Sequence, residues 1–323
     1  MRMLLAADIG GTWSRFQAVE ADSGIVVSQS YASSEFASLA DAIHCFRQTY
    51  DLPDFAAACL GLPGPVAGRQ VQLTNLPWQV DADALEHHCR IGRVELVNDF
   101  QAAAYGVDGL TTDEYIVLHL GCPDPHGHRL VAGAGTGLGV APVPFCDGRH
   151  IPQPCEGGHM DFAPTDDVQQ DLLRWLWQQW QHVSYERVVS GPGLEMLYGF
   201  FAGARHPQQA ALASAAQIVK LADAGDAVAT RTLDTFVSLY GSYLGNLALL
   251  WPAQAGIYIA GGVASRIVPW MQQPAFLQAM HAKGRMQDVV RSMPVYLVTE
   301  TGLGLRGAML RAQEIAYEQT GGQ

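Results

Sequence analysis

The sequence predicts an α/β fold whose sheet has a substantial parallel part. Three observations carry this. Short apolar runs alternate with stretches of helical spacing, glycine clusters stand where several of those runs end, and no repeat or low-complexity linker interrupts the order.

Met3 to Asp8 is a buried-type strand that leads into Gly10-Gly11-Thr12. Strands Ser14 to Val19 and Ile25 to Ser30 follow, with Ala21-Asp22-Ser23-Gly24 as the turn between them. Ser38 to Tyr50 has helical spacing, with Leu39, Ile43 and Phe46 on one face. Ala56 to Leu60 and Val94 to Val97 are short apolar strands, and a helix from Gln101 to Tyr105 follows the second. Further strands are expected at Tyr115 to Leu120 and Arg129 to Gly133. Asp166 to Val183 reads as a helix with Val168, Leu172, Leu173, Leu176 and Trp180 on its apolar face and Thr165 as its N-cap. A longer helix covers Ala227 to Leu250, strands cover Ile257 to Ala260 and Val295 to Thr299, and Arg306 to Tyr317 is the last helix. The expected boundary lies near Val107–Leu110. It gives a small α/β domain from residues 1–109 plus 302–323 and a large one from 110–301.

Composition narrows the function classes. With 49% hydrophobic and 15% charged residues, the 323-residue chain is globular. A net charge of −12 repels nucleic acid and anionic membrane, so neither is an expected partner. No apolar run approaches the roughly 18 residues of a membrane span, and the first one is too short for a signal peptide. Six cysteines without a C-x-x-C pair argue against a zinc site and for reduced thiols, so a cytoplasmic location is expected. Lysine occurs only at Lys220 and Lys283, in neither a P-loop nor a protein-kinase motif. Phosphate chemistry here must run without those lysines.

Five segments carry candidate chemistry. Asp8-Ile9-Gly10-Gly11-Thr12 follows a strand, and its glycines let backbone N–H groups approach a phosphate. Asp8 could hold Mg²⁺ through water and Thr12 a phosphate oxygen; the plain alternative is a hairpin turn. Gly133 to Gly139, with Gly135, Thr136 and Gly137 at its centre, is a second such cluster, or else a flexible loop. Asn98-Asp99 stands at a strand's carboxyl end, where α/β sheets gather ligand groups. Asp99 there is either a proton acceptor for a hydroxyl or a helix cap. Glu156-Gly157-Gly158-His159 offers a carboxylate and an imidazole to sugar hydroxyls, with no third metal ligand nearby. Glu186 precedes a helix start at Ser190-Gly191-Pro192-Gly193, and is otherwise a surface charge. Gly302, Gly304 and Gly307 match G-x-G-x-x-G, yet only 16 residues follow, too few for a dinucleotide-binding unit. They read as a loop leading into a helix, or a hinge.

In order along the chain, ADIGGT at Ala7–Thr12, LVNDF at Leu96–Phe100, GAGTGLGVA at Gly133–Ala141, EGGHMDFAP at Glu156–Pro164, ERVVSGPGL at Glu186–Leu194, GSYLGNLALL at Gly241–Leu250 and IAGGV at Ile259–Val263 resemble the bacterial glucokinase family. The likeness spans nearly the whole chain and is to the non-zinc branch of the hexokinase–actin–Hsp70 superfamily. It implies a two-domain, actin-like ATPase (ribonuclease H-like) fold with a deep interdomain cleft, and ATP-dependent phosphorylation of glucose to glucose 6-phosphate. It also implies Asp99 as general base; Asn98, Asp99, Glu156, His159 and Glu186 as sugar ligands; and Ala7 to Thr12 with Gly135 to Gly137 as phosphate loops. Gly261 and Gly262 would lie against the adenosine, Mg²⁺ would be held at Asp8, and a homodimer is the implied assembly. Trp13 stands where this family usually has asparagine. A kinase for mannose or fructose, a sugar sensor without turnover and an actin-like filament are the rival readings.

Overall fold

Strand pairing turns the alternation of the sequence into two five-stranded sheets, each in its own unit. The computed structural model describes residues 2–21, 24–73, 75–210 and 213–319; Asp22 and Ser23 of the expected turn lie outside the described residues. One unit holds the chain to Thr112, Ile151–Cys155 and the described residues from Gly302 onward; the other holds Asp113–His150 and Glu156–Thr301.

In the first unit β1 (Met3–Ile9), β2 (Trp13–Glu20) and β3 (Gly24–Ala32) are followed by α1 (Leu39–Thr49) and β4 (Phe55–Leu62). A small hairpin, β5 (Gln70–Gln72) with β6 (Gln79–Asp81), precedes α2 (Ala82–His88), β7 (Val94–Asn98) and α3 (Asp99–Gly106). The sheet order is β3-β2-β1-β4-β7, with β1, β4 and β7 parallel. Asp8 is therefore level with Gly61, and Leu62 with Asn98, so three strand ends open on one edge.

Period-two alternation gives β1 two buried faces. Leu5, Ala7 and Ile9 join Ile43 and Phe46 of α1 in one core, while Leu4 and Ala6 join Ala102 of α3 and Ala308 and Ala312 of the C-terminal helix in another. Ser38 caps α1 by accepting from the Asp41 amide, and Leu39, Ile43 and Phe46 are buried as the spacing predicts.

The C-terminal helix spans Leu303–Gln319 and starts three residues earlier than expected at Arg306, so Gly304 lies in the helix and not in a lead-in loop or hinge, and Gly307 is helical as expected. The cause is a close crossing. A Cβ on Gly307 would overlap the Ala102 carbonyl, and one on Gly106 would overlap the Leu303 carbonyl. Here glycine permits helix contact.

The second unit opens with β8 (Tyr115–His119), β9 (Arg129–Ala134), β10 (Leu138–Val143) and the hairpin β11 (Phe145–Cys146) with β12 (Arg149–His150). Helices α4 (Asp167–Leu176), α5 (Gly191–Phe201), α6 (Ala215–Asp223) and α7 (Ala227–Leu250) follow. Next come β13 (Gly256–Ile259), α8 (Val268–Met271), α9 (Pro274–His281), α10 (Gln287–Arg291) and β14 (Val295–Val298). The order is β10-β9-β13-β14-β8, with β9, β13 and β14 parallel. No described helix is long and apolar enough to cross a membrane.

Helix α4 differs from expectation at both ends. Asp166, not Thr165, is its N-cap, accepting from the Gln169 amide, and the helix stops at Leu176. Its buried residues are Gln169, Leu172, Trp175 and Leu176, while Val168 is exposed. Trp180 lies beyond the helix, with the Arg187 guanidinium 4.8 Å above its ring.

Two predictions follow from packing. Gly→Ala in an open helix gains about 1 kcal/mol. Gly307→Ala should instead cost about 2 kcal/mol or more through overpacking, measured by denaturant unfolding, while Gly304→Ala stays within about 1 kcal/mol. The second concerns acid. The His281 Nε2 is buried without a partner among the described residues; burial, helped by His119 and Arg291, holds its pKa down at about 4. The unfolded chain binds that proton first, so stability should fall as pH drops from about 6.5 to about 4. In His281→Asn that part of the pH–stability curve should flatten.

Candidate functional site

In the first unit Asp8, at the end of β1, carries a carboxylate that is one-quarter exposed and 3.3 Å from the Arg15 guanidinium. Burial raises its pKa and Arg15 opposes the rise. The turn from Ile9 to Trp13 is braced at several points. The Gly10 amide donates to the Trp13 carbonyl, the Ser33 hydroxyl donates to the Gly10 carbonyl, and the Ser33 amide donates to the Thr12 carbonyl. Ala7 and Ile9 are buried, so their contribution is to anchor the loop in the sheet. Gly11 and Thr12 are exposed, and their amides meet no protein acceptor among the described residues. Trp13, 53% exposed, borders them.

Asn98 and Asp99 lie on the same strand-end edge. Asn98 is buried and engaged twice: its Nδ2 donates to the Gly64 carbonyl at 3.0 Å and its Oδ1 accepts the Phe100 amide at 2.9 Å. It is the N-cap of α3. Asp99, whose Oδ1 shares the Phe100 amide at 2.8 Å, is the first helical residue. The cap reading left open for Asp99 thus belongs to its neighbour.

The remaining candidates lie in the second unit, where β10 begins. Leu138 is their common neighbour. Its amide donates to Glu186 Oε2 at 2.9 Å, and its carbonyl lies so close to Gly158 that a Cβ there would overlap it. A Cβ on Gly137 would come within 2.6 Å of Glu186 Oε2. The Tyr185 amide donates to the Met160 carbonyl and the Phe162 amide to the Val183 carbonyl, which sets the Glu156–His159 turn beside the Glu186 turn. Glu156 and His159 are exposed, and Glu186 is half-buried.

The Gly135–Gly137 loop is closed by the Gly135 amide donating to the Gly137 carbonyl, leaving Thr136 exposed. The start of α5 braces it: the Gly191 amide donates to the Gly135 carbonyl, Pro192 has no amide hydrogen, and the Gly193 amide donates to Ser190 Oγ. Next to it, Gly261 turns the chain at φ +95° with no room for a Cβ beside the Ala134 carbonyl, and Gly262 is exposed. The second unit thus gathers two glycine turns and three polar side chains at one end of its parallel strands.

Sequence reading missed the residues that hold these groups. Arg15 acts across the β1–β2 hairpin, Ser33 and Gly64 through contacts distant in the chain, and Leu138 through its backbone alone. Gly304 carried a signal as part of the entry to the last helix, but its nearness to Asp8 was not legible in it. It lies in van der Waals reach of Asp8, where a Cβ would be 3.6 Å from Cγ.

A family model described as Glucokinase matches residues 5–315. The chain is 35% identical to a glucokinase of Nostoc punctiforme, over 98% of its own length and all of that protein's. A solved glucokinase from an Antarctic psychrotroph is 32% identical and superposes with a TM-score of 0.85, over 97% of this chain and 99% of that one. A ROK-family glucokinase from Streptomyces griseus, solved with glucose and AMPPNP, is 20% identical with a TM-score of 0.63, over 97% and 99% of the two chains; it shares the fold.

Replacing Asn98 by alanine removes both the α3 cap and the bond to the Gly64 loop. Asn98→Ala should cost about 1–2 kcal/mol in unfolding measurements, and Asn98→Ser, which keeps a cap, should recover part of that loss.

Proposed function

The chain belongs to the Glucokinase family, and from that we infer that it transfers the γ-phosphoryl group of ATP to the 6-hydroxyl of glucose, giving glucose 6-phosphate and ADP. The observation that carries the mechanism is the placing of Asp99 at the carboxyl end of a parallel strand, with the cap supplied by Asn98. An aspartate in that position accepts the hydroxyl proton as the oxygen attacks phosphorus in line and the bond to ADP breaks.

Asn98, Glu156, His159 and Glu186 hold the remaining sugar hydroxyls. Glu186 already spends one carboxylate oxygen on the Leu138 amide, so Oε1 is the acceptor it offers. Amides of Gly11, Thr12, Thr136 and Gly137 and the two threonine hydroxyls take up phosphate charge, a role preorganised donors fill without a P-loop lysine. Gly261 and Gly262, having no side chains, let an adenosine lie against the backbone. The reading includes an actin-like, ribonuclease H-like arrangement with a cleft that takes both substrates, since base and phosphate loops must act on one substrate pair.

Mg²⁺ needs only one or two carboxylates besides substrate phosphates and water, and Asp8 beside the Gly10–Thr12 turn fits that donor set. Bound there, it would neutralise phosphate charge.

Asp99→Asn should lower kcat by about 10²-fold or more with the glucose KM little changed, in a coupled assay of ADP release. A kcat near wild type would remove Asp99 from the base role. The same assay with mannose and fructose should give a lower kcat/KM than with glucose.

A further inference from the structure

In the second unit both ligand-facing turns are tied to one helix. Strand β13 leaves its partner β9 after Ile259, opposite Ala132, and the chain turns away at Gly261. The Ala260 amide still donates to the Ala132 carbonyl, and beyond the turn the Val263 amide donates to the Ala134 carbonyl. Among the described residues no strand carbonyl comes back to the Ala134 amide, at the root of the Gly135–Gly137 loop. A buried N–H without a partner is costly. The hydroxyl of Tyr240 on α7 supplies the acceptor at 3.1 Å, and Tyr240 is wholly buried. Burial pushes that phenol well above its ordinary pKa, so it stays neutral.

Six residues further along the same helix, about 9 Å, Asn246 Nδ2 donates to the Tyr185 hydroxyl at 2.9 Å. Tyr185 is buried, its ring packs at a tilt against that of Tyr243 of α7 with centroids 4.8 Å apart, and its own amide donates to the Met160 carbonyl. Its chain neighbour is Glu186. One rigid helix therefore holds the glycine turn at one point and the Glu186 turn at another, with neither α7 side chain belonging to the candidate ligand set.

We propose that Tyr240 and Asn246 are positioning residues, Tyr240 for the nucleotide loop and Asn246, through Tyr185, for the sugar carboxylate Glu186. This rests on the glucokinase reading above. Tyr240→Phe removes one oxygen and should raise both the KM and the directly measured Kd for ATP about five-fold or more, with glucose constants within about two-fold of wild type. Asn246→Ala should do the reverse, and Tyr185→Phe, which deletes the same bond together with the hydroxyl's bonds to Ser242 and the Ala163 backbone, should shift the glucose constants at least as far.

Steady-state kinetics, calorimetric titration of ATP and of glucose, and thermal melting on the full chain make the test. Opposite selectivity in the two sets of variants supports the proposal. Equal changes in ATP and glucose constants, or a lowered melting temperature with unchanged constants, overturn it. If the wild-type protein turns over no glucose, the functional reading fails separately, and the two titrations on the same variants decide the positioning roles.

Discussion

How closely one stretch of backbone can approach another where no Cβ intervenes is the constraint on which both units depend. Gly106 and Gly307 let α3 and the C-terminal helix cross with backbones in contact, and that crossing fixes the helix opened by Asp99. In the second unit Gly158 rests on the Leu138 carbonyl and Gly261 on the Ala134 carbonyl. Such contacts contribute little energy each, but they leave no room for alternative placements. The polar groups then sit where packed backbone puts them, which is the preorganisation that electrostatic catalysis needs.

The hydrogen bonds around the site follow from the same geometry. Where two strands part, donors and acceptors at their ends lose ladder partners, and distant side chains replace them. Ser33 does this for the first glycine turn, Tyr240 for the second, and Asn98 for the junction of β7 with α3. A side chain that satisfies the backbone in this way also fixes the loop it satisfies. In Asn98 the two functions meet in one residue, because the amide that caps α3 also reaches the Gly64 loop and stands beside the proposed base.

Much of the fold was legible because burial on two faces leaves a strong pattern. β1 reads as an apolar run since both its faces are covered, and Ala227–Leu250 coincides with α7. The placing of the site motifs at strand ends was legible as well, because apolar runs broken by glycine and acidic residues mark where those strands stop. Illegible were features decided by tertiary contact. Trp175 and Gln169, not Val168, face inward on α4, since the neighbours that cover the helix are distant in sequence. Gly302 and Gly304 read as a loop leading into a helix that starts at Arg306, whereas the helix begins at Leu303, where Gly106 makes room for the Leu303 carbonyl. Leu138 could not have been singled out, as its contribution is an amide and a carbonyl that every residue possesses.

The path of the chain sets a limit on how this protein could have been assembled or could be divided. Residues 151–155 belong to the first unit, although the chain on both sides of them belongs to the second, and Gln101 of α3 donates to the Pro152 carbonyl. The C-terminal helix likewise completes the core begun by β1. A gene cut after Thr112 would leave the first product without the C-terminal helix of its own core, while the second would carry all of the other unit with those surplus segments attached. Duplication or exchange of the first unit as a cassette is therefore closed to this architecture unless its three separate segments travel together.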